Sequence, residues 1–180
     1  MNGSSTNAIS YLVGTLLDLY ITAVLLRLIL QWVRADFYNP VCQFLVKITN
    51  PVIVPLRRVI PSIRSLDTAS VLLILALEFF SVWIASRISS SPLNFEQIVV
   101  FSLMKLAATL LMTYFFLIIA SVILSWVAAR MRHPVIPLVY QLTEPVLLPF
   151  RKIIPPIAGI DLSPLFALIV IRFLLLLIGW

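Results

Sequence analysis

A thirteen-residue stretch that occurs twice constrains this chain more than any other feature. The first copy is Thr49–Pro61 (TNPVIVPLRRVIP) and the second is Thr143–Pro155 (TEPVLLPFRKIIP), and each position of the first has its counterpart 94 residues later without a gap. The prolines and basic residues that the copies share are Pro51, Pro55, Arg57, Arg58 and Pro61, followed by Pro145, Pro149, Arg151, Lys152 and Pro155. An ungapped duplication predicts two similar structural units.

Composition identifies the environment in which the units fold. Hydrophobic residues make up 62% and charged residues 11% of the 180-residue chain, whereas soluble proteins have about 45–50% apolar and about 25% charged residues. The sequence therefore indicates an integral membrane protein. Its first apolar run has no Lys or Arg before it and is too long for a signal-peptide core, so we expect it to be retained as a span.

Residues that could support chemistry are scarce. Cys42 and His133 are the only cysteine and histidine, which excludes an intrachain disulfide and a multi-histidine metal site. The sequence also lacks a glycine-rich phosphate loop and a recognisable Ser/His/Asp set. We interpret Cys42 as a packing residue and His133 as a loop residue. We therefore predict no catalytic residue, no cofactor, no metal and no enzymatic activity.

The hydropathy pattern predicts an all-α membrane protein with four transmembrane helices from two tandem repeats. The repeats are residues 1–86 and 98–180, joined by an external linker over 87–97. The predicted spans are 9–33, 69–86, 98–128 and 164–180, and amphipathic helices at the interface cover 40–49 and 134–143. Asn39-Pro40 and Pro134 begin these short helices, and Pro51 and Pro145 are expected to end them. A proline-arginine loop follows each.

Two spans in each repeat predict parallel repeats related by a pseudo-twofold axis along the membrane normal. Basic residues predict the orientation. The segments 34–68 and 129–162 hold most of them (Arg34, Lys47, Arg57, Arg58, Arg64, Arg130, Arg132, Arg151, Lys152), whereas the 87–97 segment has Arg87. The positive-inside rule then places both proline-arginine loops in the cytoplasm and both termini outside. The net charge is +6, but most of the basic residues lie in the segments that flank the predicted spans. Their positions are explained by the membrane orientation, so direct binding of nucleic acid is not expected.

Acidic residues recur at the start of the second span of each repeat. Asp67 and Asp161 are repeat counterparts, and we predict that each caps the helix that follows it. Glu78 and Arg172 are also counterparts, 11 residues further on and hence near the middle of the bilayer. At equal depth they are predicted to form a pair. A structural pair that docks the repeats is favoured over a proton or ion relay.

Three further charges lie within the predicted spans. Asp18 is predicted to reach Arg172 from the outer side, although its repeat counterpart is Met112. Arg27 and Lys105 lie towards opposite ends of their spans. We expect both to extend their charged ends to the nearest interface, in preference to a functional role.

Both proline-arginine loops carry paired basic residues beside apolar ones. Attraction to anionic lipid is one interpretation. A rigid docking platform for a membrane or cytoplasmic protein is the other, because prolines lower the cost of ordering a loop. The two interpretations are compatible and remain open, as does self-association.

Several motifs carry a resemblance to a known family. They are Leu26-Arg27-Leu28 with Gln31-Trp32, Asp36-Phe37-Tyr38-Asn39-Pro40, Pro51–Pro61 with Asp67, and Pro145–Pro155 with Asp161-Leu162-Ser163-Pro164. With these, the whole chain resembles the YggT family of small bacterial inner-membrane proteins, which is related to YlmG proteins. The resemblance implies a multi-pass membrane protein without known catalysis that is linked to osmotic-stress tolerance. Relatives of the family have roles in division and in the assembly of membrane complexes.

Two functions follow as hypotheses. The first is a non-enzymatic scaffold or assembly factor that binds lipid and partner proteins through its two proline-arginine loops. The second is a small ion or osmolyte channel, with Glu78, Arg172 and Asp18 along a path through the membrane. A bundle of four helices is thin, so a pore would require oligomerisation.

Overall fold

The computed structural model describes residues 3–63, 67–88, 92–127, 133–155 and 161–180. Within these ranges the chain forms six α-helices: α1 Gly3–Trp32, α2 Pro40–Val59, α3 Thr68–Ile88, α4 Phe95–Val127, α5 Val135–Ile153 and α6 Ser163–Leu177. The predicted all-α class is confirmed for this part of the chain. Arg64, Arg130 and Arg132, which contribute to the predicted orientation, lie outside it, as do Ser89–Ser91 of the predicted linker.

Three helices are long and apolar enough to cross a membrane. They are α1 over Tyr11–Trp32, α3 over Thr68–Ile88 and α4 over Phe95–Val127. The protein is therefore a membrane protein. The fourth predicted span corresponds to α6, which is apolar but has only 15 residues, or about 22 Å against a hydrocarbon core of about 30 Å. The arrangement of four spans in two parallel repeats stays a prediction.

Helices α2 and α5 continue through their prolines, so the predicted ends near Asn50 and Glu144 are wrong. Helix α2 contains Pro51 and Pro55 and ends at Val59, and α5 contains their counterparts and ends at Ile153. The prolines of α2 are both exposed, whereas Thr49 and Ile53 on the opposite side are buried. Each proline removes one backbone donor on the outer side. Packing of the inner side keeps the helix continuous. The predicted loops are thus the second halves of helices.

The N-terminus of α2 joins the two repeats. Asn39 occupies the N-cap, its Oδ1 accepts the backbone N–H of Val41 at 3.0 Å, and Pro40 is the first helical residue. The Nδ2 of the same side chain donates to the carbonyl of Pro134 at 2.7 Å, directly before α5. The starts of the two proline-containing helices therefore lie side by side.

Replacing Asn39 by alanine is expected to lower the free energy of unfolding by about 2 kcal/mol, because it removes a helix cap and the bond to Pro134. Asn94 is the matched control, since it accepts the N–H of Gln97 at 2.9 Å without joining the repeats. Asn94→Ala should cost about 1 kcal/mol. Chemical unfolding in detergent micelles measures both variants. Equal losses would contradict a joining role for Asn39.

The helices pack in a row that determines which charges can meet. Helix α3 lies against α1 and α4, and α4 lies against α6. Helix α2 packs on α1 and α3, and α5 packs on α4 and α6 in the same way. One buried cluster includes Ile21, Val24 and Ile53 and extends to Leu138 and Leu142 of α5. The other is built on α4, α5 and α6 around Ile118.

Candidate functional site

An ion pair joins the proline-containing helix of the first repeat to the span that follows. Arg57 lies in the last turn of α2 and Asp67 directly precedes α3. Arg57 Nη2 donates to Asp67 Oδ2 at 2.6 Å and Nε donates to Oδ1 at 3.3 Å. The Asp67 side chain is only 1% exposed, and the Ser70 hydroxyl also donates to it. The carboxylate thus joins α2 to the first turn of α3.

The second repeat forms the equivalent pair in a more exposed setting. Arg151 Nε donates to Asp161 Oδ2 at 2.9 Å, and Arg151 Nη1 donates to Glu144 Oε2 at 2.6 Å. The Asp161 side chain is 40% exposed. Its other oxygen accepts the backbone N–H of Ser163 at 2.9 Å, at the start of α6. Both repeats therefore use an arginine of the duplicated stretch to hold the aspartate before the next helix.

These contacts determine the charge of both aspartates. Burial alone would raise the pKa of Asp67, but the hydrogen bonds from Arg57 and Ser70 outweigh it and lower the pKa below the ordinary 3.8. For Asp161, burial also acts to raise the pKa, and the bonds from Ser163 and Arg151 lower it. Both aspartates are therefore charged at neutral pH. We call the ion pairs Arg57–Asp67 and Arg151–Asp161 the two junctions.

A second cluster lies inside the membrane-spanning helices, centred on Lys105 of α4. Lys105 Nζ lies 2.6 Å from Asp18 Oδ1 on α1 and 3.4 Å from Glu78 Oε2 on α3. It also donates to the Ser81 hydroxyl at 2.6 Å, and the Thr109 hydroxyl donates to Glu78 Oε1 at 3.0 Å. One ammonium group therefore connects three helices.

The predicted pair between Glu78 and Arg172 is wrong. Glu78 is fully buried against α4, whereas Arg172 is exposed on α6 and donates to the Trp180 carbonyl at 3.4 Å. Asp18 likewise contacts Lys105, not Arg172. The physical reason is the row of helices, in which α3 packs on α4 and α4 separates it from α6. Position along the helices did not specify which helix lies next to α3.

The predicted outward extension of Lys105 and Arg27 is also wrong. Lys105 is directed between α1 and α3, as described above. Arg27 is only 8% exposed, and its Nη1 donates to the Thr49 hydroxyl of α2 at 2.6 Å. Helix α2 packs over this part of α1 and covers the guanidinium group.

The intramembrane cluster borders a cavity of about 590 Å³. Asp18, Lys105 and Thr109 line its polar part, and Met112, Phe116 and Trp180 are among its apolar walls. The Glu78 carboxylate contacts the same ammonium group but is buried and does not line the cavity, so the acidic group in the wall is Asp18. Such a site can hold a proton or a small cation at the cavity wall.

The other predicted site residues lie on the proline-containing helices. Arg58 and Lys152 are exposed, and so are Val59 and Ile153 next to them. The exposed side of each helix also presents its prolines, which are Pro51, Pro55, Pro145 and Pro149, whereas Pro61 and Pro155 follow the helix ends. Among the residues that the structure describes, no group of three or more His, Cys, Asp and Glu side chains could hold a metal ion.

Sequence reasoning named both partners of each junction but missed their contact. The interval from arginine to aspartate is ten residues in both copies, and this equal spacing was the available signal. Thr49 and Thr143 were missed as well. Both are buried, and each donates to the carbonyl four residues before it. The available signal was the duplication, since each is the first residue of one copy of the repeated stretch.

Comparisons with known proteins agree with the duplicated architecture. A family model described as CCB3/YggT matches residues 6–88 and 100–180, which fits one segment per repeat. An uncharacterized protein of Vibrio alginolyticus is 46% identical over 178 residues, which cover 96% of this chain and 94% of the relative. An uncharacterized protein of Pseudomonas aeruginosa is 41% identical over 99% of this chain and 91% of its own length.

The uncharacterized protein YggT of Escherichia coli is 37% identical over 160 residues, which cover 88% of this chain and 82% of the relative. No solved structure matches the chain. The family model accounts for both repeats, and the relatives align over nearly their full lengths. On these grounds the chain belongs to the CCB3/YggT family.

Proposed function

We propose that the protein is a non-enzymatic membrane scaffold or assembly factor that presents α2 and α5 to lipid and partner proteins. The observation that carries this proposal is the pair of equivalent junctions, Arg57–Asp67 and Arg151–Asp161. Each fixes the end of a proline-containing helix against the next span. A surface that is ordered before binding loses less conformational entropy when a partner docks.

The exposed groups at these helix ends have the chemistry of a membrane-surface contact. Arg58 and Lys152 are repeat counterparts, and each is followed by an exposed aliphatic residue, Val59 or Ile153. A basic group near anionic lipid contributes about 1 kcal/mol. Arg57 and Arg151 are occupied by intramolecular ion pairs, so the proposed contact surface consists of Arg58, Lys152 and their apolar neighbours.

We further propose a bacterial cytoplasmic membrane as the location, with both termini outside and both proline-containing helices on the cytoplasmic side. The positive-inside rule supports this orientation through Arg34, Lys47, Arg58 and Lys152. The family resemblance supports a role in osmotic-stress tolerance or in envelope and division processes. Anionic lipid and a membrane or cytoplasmic protein are the proposed partners.

In-cell crosslinking followed by purification tests the scaffold. The combined variant Arg58→Glu and Lys152→Glu should lose a defined crosslinked partner that the wild type retains, while the fold survives because neither residue joins a junction. Lys47→Glu is the matched control, since Lys47 is exposed on α2 but outside the duplicated stretch. It should retain the partner. A wild type that recovers lipid and no defined protein would contradict the scaffold.

The intramembrane cluster favours a second candidate function, passage of protons or small cations. Its support is the Asp18 carboxylate in the wall of the cavity of about 590 Å³, next to Lys105, which also contacts the buried Glu78. Purified protein in liposomes should then produce a flux under an ionic gradient, and Asp18→Asn should reduce it. Met112, the repeat counterpart of Asp18, also lines the cavity, so Met112→Leu is the control. Absence of flux under every gradient would exclude this function for the isolated protein.

A further inference from the structure

Two repeat-related pockets lie where the proline-containing helices meet the longer spans. The first junction pocket, between α1 and α2, has a volume of about 360 Å³ and three arginines in its wall, Arg27, Arg34 and Arg57. The second junction pocket, between α4 and α5, has a volume of about 410 Å³. Its polar wall consists of Ser121, Ser125, Tyr140, Arg151 and Asp161.

The pockets share one duplicated residue and differ in charge. Arg57 and Arg151 are counterparts, but Ser121 stands where the first repeat has Arg27. The described wall of the first junction pocket holds three guanidinium groups and no carboxylate, and Asp67, which Arg57 binds, lies outside that wall. In the second, Arg151 is held by both Asp161 and Glu144. The first junction pocket is therefore cationic and the second is not.

Arg27 is the residue that makes the first junction pocket suited to an anion. It is 8% exposed, and among the described residues its side chain donates one hydrogen bond, to the neutral Thr49 hydroxyl. Within the described ranges no carboxylate oxygen lies within ion-pair distance of it, since Asp67 pairs with Arg57, and Asp18 and Glu78 pair with Lys105 of the second repeat. A covered guanidinium without a counter-ion is energetically costly, whereas a bound anion would offset its charge.

We propose that the first junction pocket binds a phosphate group, carried by an anionic phospholipid headgroup or by free phosphate. The planar fork of an arginine matches phosphate oxygens in two-point hydrogen bonds. Leu30, Leu45 and Phe37 complete the pocket wall and give an acyl chain an apolar surface beside the headgroup. Arg58 and Lys152 do not line this pocket, so the site is separate from the proposed scaffold surface.

Native mass spectrometry of the purified full chain tests the site. The detergent-solubilised protein is titrated with short-chain phosphatidylglycerol, short-chain phosphatidylcholine and inorganic phosphate in separate experiments. Both lipids carry a phosphate, but the choline ammonium of phosphatidylcholine would be repelled by the arginines of the pocket wall. We therefore expect one phosphatidylglycerol to be retained with an affinity about tenfold above that of phosphatidylcholine. Arg27→Gln should abolish the preference. Ser121→Gln, at the counterpart position of the second junction pocket, should leave it unchanged.

Each outcome decides the proposal. Retention of phosphatidylglycerol that depends on Arg27 identifies lipid as the source, and retention of inorganic phosphate with the same dependence identifies the free anion. Equal retention of both phospholipids, or a preference that survives Arg27→Gln, would overturn the site. If Arg27→Gln does not fold, Arg34→Gln at the exposed edge of the pocket must weaken the preference. The scaffold variant with Arg58→Glu and Lys152→Glu should retain the ligand, which separates the two proposals.

Discussion

Replacing Lys105 by methionine is expected to lower the free energy of unfolding by about 3–5 kcal/mol, the usual cost of leaving a buried ion without its partner. Glu78 is fully buried, and Lys105 is its cationic contact. Loss of the ammonium group would also leave Asp18 and Glu78 as two carboxylates at one site. Chemical unfolding of the purified protein in lipid-detergent micelles measures the effect.

A second substitution distinguishes charge from packing. The double variant Lys105→Met and Glu78→Gln should recover most of the lost stability, because it removes the buried charge together with its partner. Arg172→Gln is the control, since Arg172 is exposed and makes one long bond to a carbonyl. It should change the free energy of unfolding by less than about 1 kcal/mol. If Arg172→Gln were as damaging as Lys105→Met, the ion pairing described for Glu78 would be incorrect.

Replacing Arg57 by glutamine should cost more stability than the equivalent change at Arg151. Asp67 is 1% exposed and would be left without its cation, a loss of about 2 kcal/mol after allowance for the partial exposure of Arg57. Asp161 is 40% exposed and remains hydrated without Arg151, so Arg151→Gln should cost about 1 kcal/mol or less. Paired unfolding curves of the two variants measure the difference. Equal costs would contradict the assigned difference in burial.

The pH dependence of the first junction gives an independent check. The pKa of Asp67 is lowered in the folded protein, because the bonds from Arg57 and Ser70 outweigh burial. Its stabilising contribution is therefore complete above the unfolded pKa of about 3.9 and is lost as the pH falls through the lower folded value. The stability difference between wild type and Arg57→Gln should shrink over this acidic range. A constant difference would show that the ion pair is not its cause.

Much of the architecture could be predicted because repetition and hydropathy are properties of the chain itself. The duplicated stretch indicated two similar units, and long apolar runs indicated the three helices that are long enough to cross a membrane, α1, α3 and α4. The ends of α2 and α5 were not predictable in the same way. A proline locally favours a helix end, but burial of Thr49 and Ile53 on one side and exposure of Pro51 and Pro55 on the other allow the helix to continue.

For the candidate sites, too, the sequence identified the residues, whereas the packing of the helices determined their contacts. Sequence identified Asp18, Glu78, Arg27 and Lys105 as unusual charges, since an ionisable residue inside a span is costly wherever it lies. It could not assign their partners, because depth along a helix is a local property, whereas the neighbouring helix depends on packing. Lys105 rather than Arg172 neutralises Glu78 because α3 lies against α4.

What the sequence by itself determined is the membrane environment, the duplication and the positions of the charged residues within the apolar helices. What only the tertiary structure decided is how those residues combine. Arg57 and Arg151 hold the aspartates ten residues ahead, and α2 covers Arg27. The physical reason is that hydrophobic burial is encoded by composition and period along the chain, whereas ion pairs form over a few ångströms and depend on which helices become neighbours.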